Sequence, residues 1–226
     1  YKSNNRIIFY KGLNSLAKIN HNSDLSIGAG GISTWERLCL SLPSLVFLVS
    51  DNQKVTIDTL SRKNFIIYAG KIKNFNKINF ETLIQSIKKN YKKIIYKMKY
   101  SKILIDGRGA ARVAEILSPS SKLKAVIRKA KKDDLYDYYN WVNDKQVRKN
   151  SFKETKIKFE NHKKWFYDQL KFPKKNFLYV FGTKNILLGQ TRLNLSHKTA
   201  KIDYSIDKDF RQRGLGYEML KKILKK

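Results

Sequence analysis

The 226-residue sequence predicts an α/β protein of two domains, with a parallel sheet in residues 1–120 and a mainly antiparallel sheet in residues 121–226. Strand-like and helix-like segments alternate through the first half, which is typical of βαβ units. In the second half three strand-like segments follow one another, which favours antiparallel pairing. The polar cluster Ser118-Pro119-Ser120-Ser121 stands between the halves and contains a helix breaker, so we expect the domain boundary there.

The sequence of the first domain predicts short apolar strands separated by amphipathic helices. Strands are predicted over residues 6–10, 25–28, 45–49 and 65–68, and helices over residues 13–19, 34–42, 52–62, 80–98 and 110–117. These strands lack a clean alternation of apolar and polar residues, which indicates a sheet covered on both faces.

The second domain groups its strands between helices, which indicates an α+β arrangement. Strands are predicted over residues 124–128, 177–181, 186–195 and 200–206, and helices over residues 132–142, 159–170 and 217–224.

Composition limits the classes of function. Lys and Arg total 48 against 18 Asp and Glu, which gives a net charge of +30 spread over both halves. We interpret most of this charge as solvated surface that attracts anionic sugar nucleotides and coenzyme A, with nucleic-acid binding as the alternative. A single cysteine and the lack of an apolar run of roughly 20 residues favour a cytoplasmic protein with no membrane partner. No metal is expected, because no Cys/His cluster or EF-hand loop is present.

A glycine-rich junction, Gly28-Ala29-Gly30-Gly31-Ile32-Ser33-Thr34-Trp35-Glu36, joins a predicted strand to a predicted helix. Glycines let the backbone turn sharply and let a ligand approach the main chain. Ser33 or Thr34 can cap the helix, whose first N–H groups would face a phosphate or diphosphate. A nucleotide-type ligand is therefore the first hypothesis for this junction.

A second junction of the same kind follows the last predicted strand, Ala200–Ile206. The run Arg211-Gln212-Arg213-Gly214-Leu215-Gly216 precedes a predicted helix, and its spacing exposes successive N–H groups that can surround a diphosphate. Two arginines add positive charge. The alternative is an ordinary basic turn that caps a helix.

Together with the strands before it, this loop resembles the acetyl-CoA loop of the GCN5-related N-acetyltransferases. The resemblance implies acetyl-CoA as cofactor, with its diphosphate on Arg211, Gln212, Arg213, Gly214, Leu215 and Gly216 and its pantetheine arm along Tyr204, Ser205 and Ile206. In that family the sheet continues after this helix, so we expect the domain to be incomplete at its C-terminus. No catalytic residue is assigned.

Two further segments, Trp141-Val142-Asn143-Asp144 with Val147-Arg148 and His162-Lys163-Lys164-Trp165-Phe166, resemble sugar-nucleotide N-acetyltransferases. The nearest subfamily acetylates an amino sugar in the pseudaminic-acid pathway, which implies that Asn143, Asp144 and His162 lie near the amine substrate. Alternatively, Asn143-Asp144 only ends a helix, and His162 is a packed histidine on one helix face with Phe159 and Phe166.

The first domain resembles the C-terminal domain of the UDP-sugar hydrolase of the same pathway, which is similar to MurG-like glycosyltransferases. The resemblance rests on the Gly28–Glu36 run, Pro43-Ser44-Leu45, Ser50-Asp51-Asn52-Gln53 and Ile105-Asp106-Gly107-Arg108-Gly109-Ala110. It implies a Rossmann-like domain, half of a glycosyltransferase-B fold, that binds a UDP-sugar through Gly30, Gly31, Ser33, Thr34, Glu36, Asn52 and Gln53. The alternatives are a helix cap at Ser33, Thr34 or Asn52 and a dipole-complementing carboxylate at Glu36.

The two resemblances together predict part of a bifunctional enzyme of nonulosonic (pseudaminic) acid biosynthesis. One half would be a UDP-2,4-diacetamido-2,4,6-trideoxy-β-L-altropyranose hydrolase and the other an amino-sugar N-acetyltransferase. The histidine-bearing glycine loop of the hydrolase family has no match, and the chain starts at Tyr1 rather than Met, so we expect both activities to be incomplete. A nucleic-acid-binding protein and a catalytically inactive fusion scaffold are the alternatives.

Overall fold

The computed structural model describes residues 7–118, 124–172, 176–196 and 199–225. The chain divides into two compact units, residues 1–107 and residues 108–226. The domain boundary expected at residue 120 lies outside the described residues and stays a prediction. Among the described residues, no helix has both the length and the hydrophobicity that crossing a membrane requires.

The first unit contains a parallel sheet of strands β1 (Ser26–Ala29), β2 (Ser44–Leu48) and β3 (Ile67–Lys71), in that order across the sheet. Its helices are α1 (Ala17–His21), α2 (Ser33–Cys39), α3 (Lys54–Arg62), α4 (Lys77–Met98) and α5 (Ser101–Leu104). α2 connects β1 to β2 and α3 connects β2 to β3, because parallel neighbours need a crossover connection. The predicted parallel sheet is confirmed.

The central strand β2 is buried along its whole length. Val46 and Leu48 pack with Leu38 of α2 and Ile57 of α3. The ring of Phe47, which points to the other face, lies 6.1 Å from the ring centre of Phe75. Both faces of the strand are covered, as its uninterrupted apolar sequence predicts.

Two predictions for the start of the chain are wrong. Residues Ile7–Tyr10 form no strand but lie exposed without regular structure, while Arg6 lies outside the described residues. The helix expected from residue 13 begins only at Ala17. Apolar composition alone does not make a strand, because its backbone groups also need a partner strand.

The second unit contains an antiparallel sheet of β4 (Val126–Lys129), β5 (Asn176–Gly182), β6 (Leu187–Ser196) and β7 (Thr199–Ile206), in that order across the sheet. Its helices are α6 (Gly109–Leu117), α7 (Leu135–Val142), α8 (Lys145–Lys149), α9 (Phe159–Lys171) and α10 (Leu215–Ile223). The predicted antiparallel sheet is confirmed. The short helix α8 was not predicted, because five residues are too few to show a helical period.

Strand β5 separates two apolar clusters of the second unit. Phe181 packs with Leu215 and Met219 of α10, whereas Val180 packs with Phe166 of α9. Successive residues of a strand point to opposite faces, so β5 contributes to both clusters. Helices therefore cover both faces of this sheet at β5.

Candidate functional site

The candidate site of the second unit lies where β7 leads into α10. The chain passes through a 3-10 turn, Lys208–Phe210, and a loop, Arg211–Gly214, before the helix begins. Gln212 and Gly214 have φ angles of +61° and +73°, which is a left-handed conformation that glycine adopts without strain. A Cβ atom at Gly214 would meet no atom of the described residues within 4 Å, so the space beside this glycine is open.

Four N–H groups at the end of this loop and the start of α10 are left without a protein acceptor among the described residues. In the part of the chain that the structure describes, the backbone N–H groups of Gln212, Gly214, Leu215 and Gly216 donate to no protein acceptor. They lie at the positive end of the α10 dipole, where anions bind favourably. The residues present therefore fit a diphosphate group.

The two arginines of the loop bind to the protein itself. Arg211 donates from Nε to the carbonyl of Ile206 at 3.0 Å and forms an ion pair with Asp144, with 2.6 Å between Nη2 and Oδ1. Arg213 donates from Nη2 to the carbonyl of Ser118 at 2.6 Å. Both arginines thus hold the loop in place and put positive charge next to its open N–H groups.

Strand β7 lies at the edge of the described sheet. Residues Tyr204–Ile206 pair with β6 on one side, and their other side pairs with no described strand. Ser205 is buried, and a Cβ atom at Gly216 would lie 3.7 Å from the ring of Tyr204. The residues predicted to line the pantetheine arm and those predicted to bind the diphosphate therefore adjoin at Gly216.

Asn143 and Asp144 are engaged in internal contacts. Asn143 donates from Nδ2 to the carbonyl of Ile157 at 3.2 Å and accepts the N–H of Ile157 on Oδ1 at 2.8 Å. Asp144 caps α8 by accepting the N–H groups of Gln146 and Val147. Partial burial alone would raise the pKa of Asp144, but hydrogen bonds from Arg211 and from these N–H groups outweigh it and hold that pKa below its usual value. Their predicted substrate contacts stay predictions.

His162 lies inside an aromatic cluster. Its ring centre is 5.2 Å from that of Trp165 and 5.5 Å from that of Tyr139, and only 2% of the residue is exposed. Burial lowers the pKa of His162 from 6.5 to about 4, so the imidazole is neutral at pH 7. Within the described ranges, Nε2 has no hydrogen-bond partner. This environment matches the packed-histidine alternative, and a role in substrate binding stays a prediction.

The sequence analysis missed a polar face on β6 and β7. Gln190 donates from Nε2 to Asp203 at 3.2 Å and to Ser205 at 3.4 Å. Arg192 lies 3.5 Å from Asp203 and 5.5 Å from the ring centre of Trp165. The register pairs Gln190 with Ser205 and Arg192 with Asp203, so these side chains share one face. The alternation of polar residues along these two strands could have indicated this face, but it was used only to predict the strands.

In the first unit, two glycines of the predicted phosphate loop, Gly28 and Gly30, lie in close contact with other residues. Gly28, Gly30 and Gly31 have no positive φ. A Cβ atom on Gly30 would lie 2.3 Å from Cδ1 of Ile57, and one on Gly28 would lie 2.7 Å from Nη1 of Arg37. A Cβ atom on Gly31 would meet only the side chain of Gln53, at 3.9 Å. Gly31 therefore lies next to a second predicted ligand residue.

Arg37 is a buried residue that the sequence analysis did not single out. Its side chain donates from Nη2 to the carbonyl of Ala29 and to Oγ1 of Thr34, both at 2.9 Å. Burial lowers the pKa of the Arg37 guanidinium, and none of the described carboxylates forms an ion pair with it. The Thr34 hydroxyl also donates to Ala29, at 3.2 Å. The prediction that Ser33 or Thr34 caps α2 is wrong, because no side chain binds the start of this helix.

The other residues predicted to bind a UDP-sugar lie near the carboxyl ends of β1 and β2. Ser33 is partly exposed and Glu36 is exposed on the first turn of α2, and Asn52 is exposed in a 3-10 turn after β2. Gln53 accepts the N–H of Val49 at 3.3 Å. Within the described ranges no group of three or more His, Cys, Asp or Glu residues is placed to hold a metal ion. The UDP-sugar contacts stay predictions.

Residues 124–226 match the family model described as "Acetyltransferase (GNAT) domain". This segment is therefore a GNAT acetyltransferase domain, and the family uses acetyl-CoA as its cofactor. The resemblance of the second half to N-acetyltransferases is thus confirmed, together with its cofactor. No curated protein matches the chain significantly.

Several solved structures are similar to the chain. A possible acetyltransferase from Clostridium difficile 630 is 17% identical, covers 46% of this chain and 70% of its own, and has a TM-score of 0.39. Spermidine N-acetyltransferase from Vibrio cholerae, in complex with CoA and spermine, is 16% identical, with 45% and 62% covered and a TM-score of 0.41. The Salmonella typhimurium acetyl transferase that modifies the N-terminal serine of ribosomal protein L7/L12 is 17% identical, with 47% and 64% covered and a TM-score of 0.40. The chain thus spans between 62% and 70% of the length of these proteins.

Proposed function

We propose that the second unit binds acetyl-CoA and transfers its acetyl group to an amine. The observation that carries this proposal is the open row of N–H groups in the Arg211–Gly216 loop beside the free edge of β7. The loop belongs to the segment that matches the GNAT family model. The predicted domain range for this activity is 121–226.

Main-chain groups do most of the binding in this proposal. The N–H groups of Gln212, Gly214, Leu215 and Gly216 hold the diphosphate, while Arg211 and Arg213 fix the loop and supply positive charge. The free edge of Tyr204–Ile206 holds the pantetheine arm by strand-like hydrogen bonds, which an unpaired edge offers to an extended ligand.

Acetyl-CoA, when bound, supplies the acetyl group as a thioester. A main-chain N–H on the free edge of β7 donates to the thioester carbonyl and stabilises the negative charge that develops there. The acceptor amine attacks only in its neutral form, so a basic group or a chain of waters takes its proton. No side chain of this chain is assigned that task.

We infer further that the acceptor is the amine of a deoxyamino sugar. Support comes from the resemblance of residues 141–148 and 162–166 to sugar-nucleotide N-acetyltransferases. Asn143 and Asp144 then support the site indirectly. Asn143 fixes the segment at Ile157 through a hydrogen bond, and Asp144 fixes Arg211 through an ion pair. His162 contributes a neutral, buried ring to the same part of the unit.

For the first unit we propose binding of a UDP-sugar, as the Rossmann-like half of a glycosyltransferase-B fold. The diphosphate and ribose contacts would come from Gly30, Gly31, Ser33, Thr34, Glu36, Asn52 and Gln53. Support comes from their place after β1 and β2, because α/β proteins bind ligands at the carboxyl ends of parallel strands. In this proposal the chain is part of a bifunctional cytoplasmic hydrolase and acetyltransferase of pseudaminic-acid biosynthesis.

Calorimetric titration of Gly214→Val with coenzyme A tests the acetyl-CoA site. A branched side chain is strained at φ +73° and distorts the loop, so we expect affinity to fall roughly tenfold or more. Gly12→Val is the matched control, because Gly12 has φ +68° and equally open surroundings but lies in the first unit.

Three outcomes would contradict the proposal. Equal affinity of both variants for coenzyme A would exclude the loop as its site, and the lack of any binding would exclude the site altogether. Strong RNA binding that weakens steeply with salt, without coenzyme A binding, would favour the nucleic-acid alternative. Titration with UDP tests the first unit separately.

A further inference from the structure

A cavity of about 430 Å³ lies in the first unit, between the sheet and the start of α4. It is lined by Phe47 of β2, Ala69 of β3 and eight residues of the following segment, Asn74, Phe75, Asn76, Asn79, Phe80, Thr82, Leu83 and Ser86. Its volume falls in the range of small-molecule sites. None of its lining residues belongs to the predicted UDP-sugar contacts, so its chemistry is separate from that proposal.

One wall of the cavity consists of three phenylalanine rings, Phe47, Phe75 and Phe80. The ring plane of Phe75 is tilted by 57° from that of Phe47 and by 51° from that of Phe80. Nucleobases stack best on one flat aromatic face. Phe47 and Phe80 are closer to parallel, at 27°, so Phe75 alone stands at a steep angle to the other two rings. The three rings therefore do not form one flat face, which fits a puckered, saturated ring better than a planar base.

The wall is also open to a ligand. Phe75 is 53% exposed, whereas Phe47 is almost completely buried. Covering an exposed aromatic side chain stabilises a complex by removing its apolar surface from water. Phe75 is thus the ring that a bound ligand would cover.

The rest of the lining combines the apolar side chains of Ala69 and Leu83 with amides and hydroxyls, several of which have unused hydrogen-bonding capacity. The Thr82 hydroxyl is already engaged, because it donates to the carbonyl of Ile78 at 3.0 Å. In the described ranges the side chains of Asn74, Asn79 and Ser86 make no hydrogen bond, whereas Asn76 accepts the N–H of Asn79 to cap α4. Each amide can both donate and accept, as the hydroxyl and acetamido groups of a sugar do. Among the described residues, no Asp, Glu, His, Lys or Arg side chain lines the cavity, so these residues offer no counter-charge to an ion.

We propose that this cavity binds an uncharged sugar ring with hydroxyl or acetamido substituents. The C–H face of the sugar covers Phe75 and Phe80, and its polar substituents pair with Asn74 and Asn79. All these residues belong to the first unit, so the proposal does not depend on acetyl transfer by the second.

The test is an NMR titration of the full chain with N-acetylglucosamine, read on the amide signals of residues 69–86. We expect saturable shifts, and we expect Phe75→Ala and Asn79→Ala each to weaken binding roughly tenfold, a loss that one polar or aromatic contact accounts for. Phe9→Ala is the matched control, because Phe9 is an exposed phenylalanine of the same unit outside the cavity.

The outcomes separate the proposal from its competitors. Uridine that shifts the same signals with higher affinity than the sugar would overturn it in favour of a base site. The lack of saturable shifts with N-acetylglucosamine would overturn it as well. If Phe75→Ala fails to fold, Asn79→Ala decides, since Asn79 is an exposed side chain whose backbone N–H keeps its bond to Asn76. Loss of coenzyme A binding in a separate titration would concern only the acetyltransferase proposal.

Discussion

At the scale of single residues, burial decides what His162 can do. An imidazole in water exchanges its proton near neutral pH, but this one is enclosed by Tyr139, Trp165 and Phe166. Charging it there would cost its hydration, and burial is the one cause found for its lowered pKa among the residues that the structure describes. The ring therefore contributes packing at neutral pH and becomes a weak point in acid.

We expect His162→Phe to reduce the acid sensitivity of the protein. The unfolded chain binds a proton at this position below pH 6.5 but the folded chain only below about pH 4, so the wild type loses stability as pH falls between these values. The full loss is about 3 kcal/mol. Urea unfolding at pH 7 and pH 4.5 measures the difference, which should be smaller in the variant.

The matched control is His21→Phe, which changes an exposed histidine at the end of α1. It should lose stability between pH 7 and pH 4.5 as the wild type does. If His162→Phe also loses as much stability in acid as the wild type, the buried imidazole is not the source of the acid sensitivity.

At the scale of elements, the approach of β1 to α3 depends on Gly30. The position where a Cβ atom would stand is occupied by the side chain of Ile57, which is itself only 1% exposed and cannot move into solvent. Gly30→Ala should therefore lower the free energy of unfolding by about 1–3 kcal/mol through overpacking. Chemical denaturation measures this directly.

Three further variants, Gly31→Ala, Ile57→Ala and the double change, test whether packing causes the loss at Gly30. Gly31→Ala adds the same methyl group where the nearest atom is 3.9 Å away, so it should change stability by no more than about 0.5 kcal/mol. Combining Gly30→Ala with Ile57→Ala should cost less than the sum of the two single changes, because the truncated side chain makes room. Additive losses would show that the two side chains do not compete for space.

Elements whose apolar pattern decides their structure were predictable from the sequence. The strands β2 and β5 and the helix α9 lie within a few residues of their predicted places, because each buries a long apolar stretch. The strand predicted over Ile7–Tyr10 was wrong, because a strand also depends on a distant partner strand, which the local sequence does not show.

A site residue was predictable where the backbone conformation restricts which amino acid can stand at that position. Gly214 was expected in a ligand loop and has the left-handed conformation that favours glycine. Gly30 was expected to approach a ligand, but the structure explains it by a contact with Ile57, 27 positions further along the chain. Arg37 and the Gln190–Asp203 pair were missed, because their importance arises from tertiary burial and strand register.

At the scale of the whole molecule, two units with separate sheets share one strongly basic chain. The net charge of +30 draws any polyanion toward the surface, so affinity alone does not show where a nucleotide binds. The position of the bound ligand along the chain is the more informative observation. Coenzyme A is assigned to the second unit and UDP to the first, so each ligand should protect a different set of residues from hydrogen exchange.

Hydrogen exchange of the intact chain with each ligand should therefore protect different parts of the sequence. A ligand at 100 times its Kd stabilises the structure that binds it by about 2.7 kcal/mol, which slows exchange in that structure roughly a hundredfold. Coenzyme A should slow exchange in β7 and α10, and UDP in the segments that follow β1 and β2. Measurements at low and high salt separate site binding from diffuse attraction, because only the latter fades steeply with salt. Protection of residues 7–107 by coenzyme A, or uniform protection that disappears at high salt, would contradict the assignment, since the open N–H groups beside β7 would then not be its binding site.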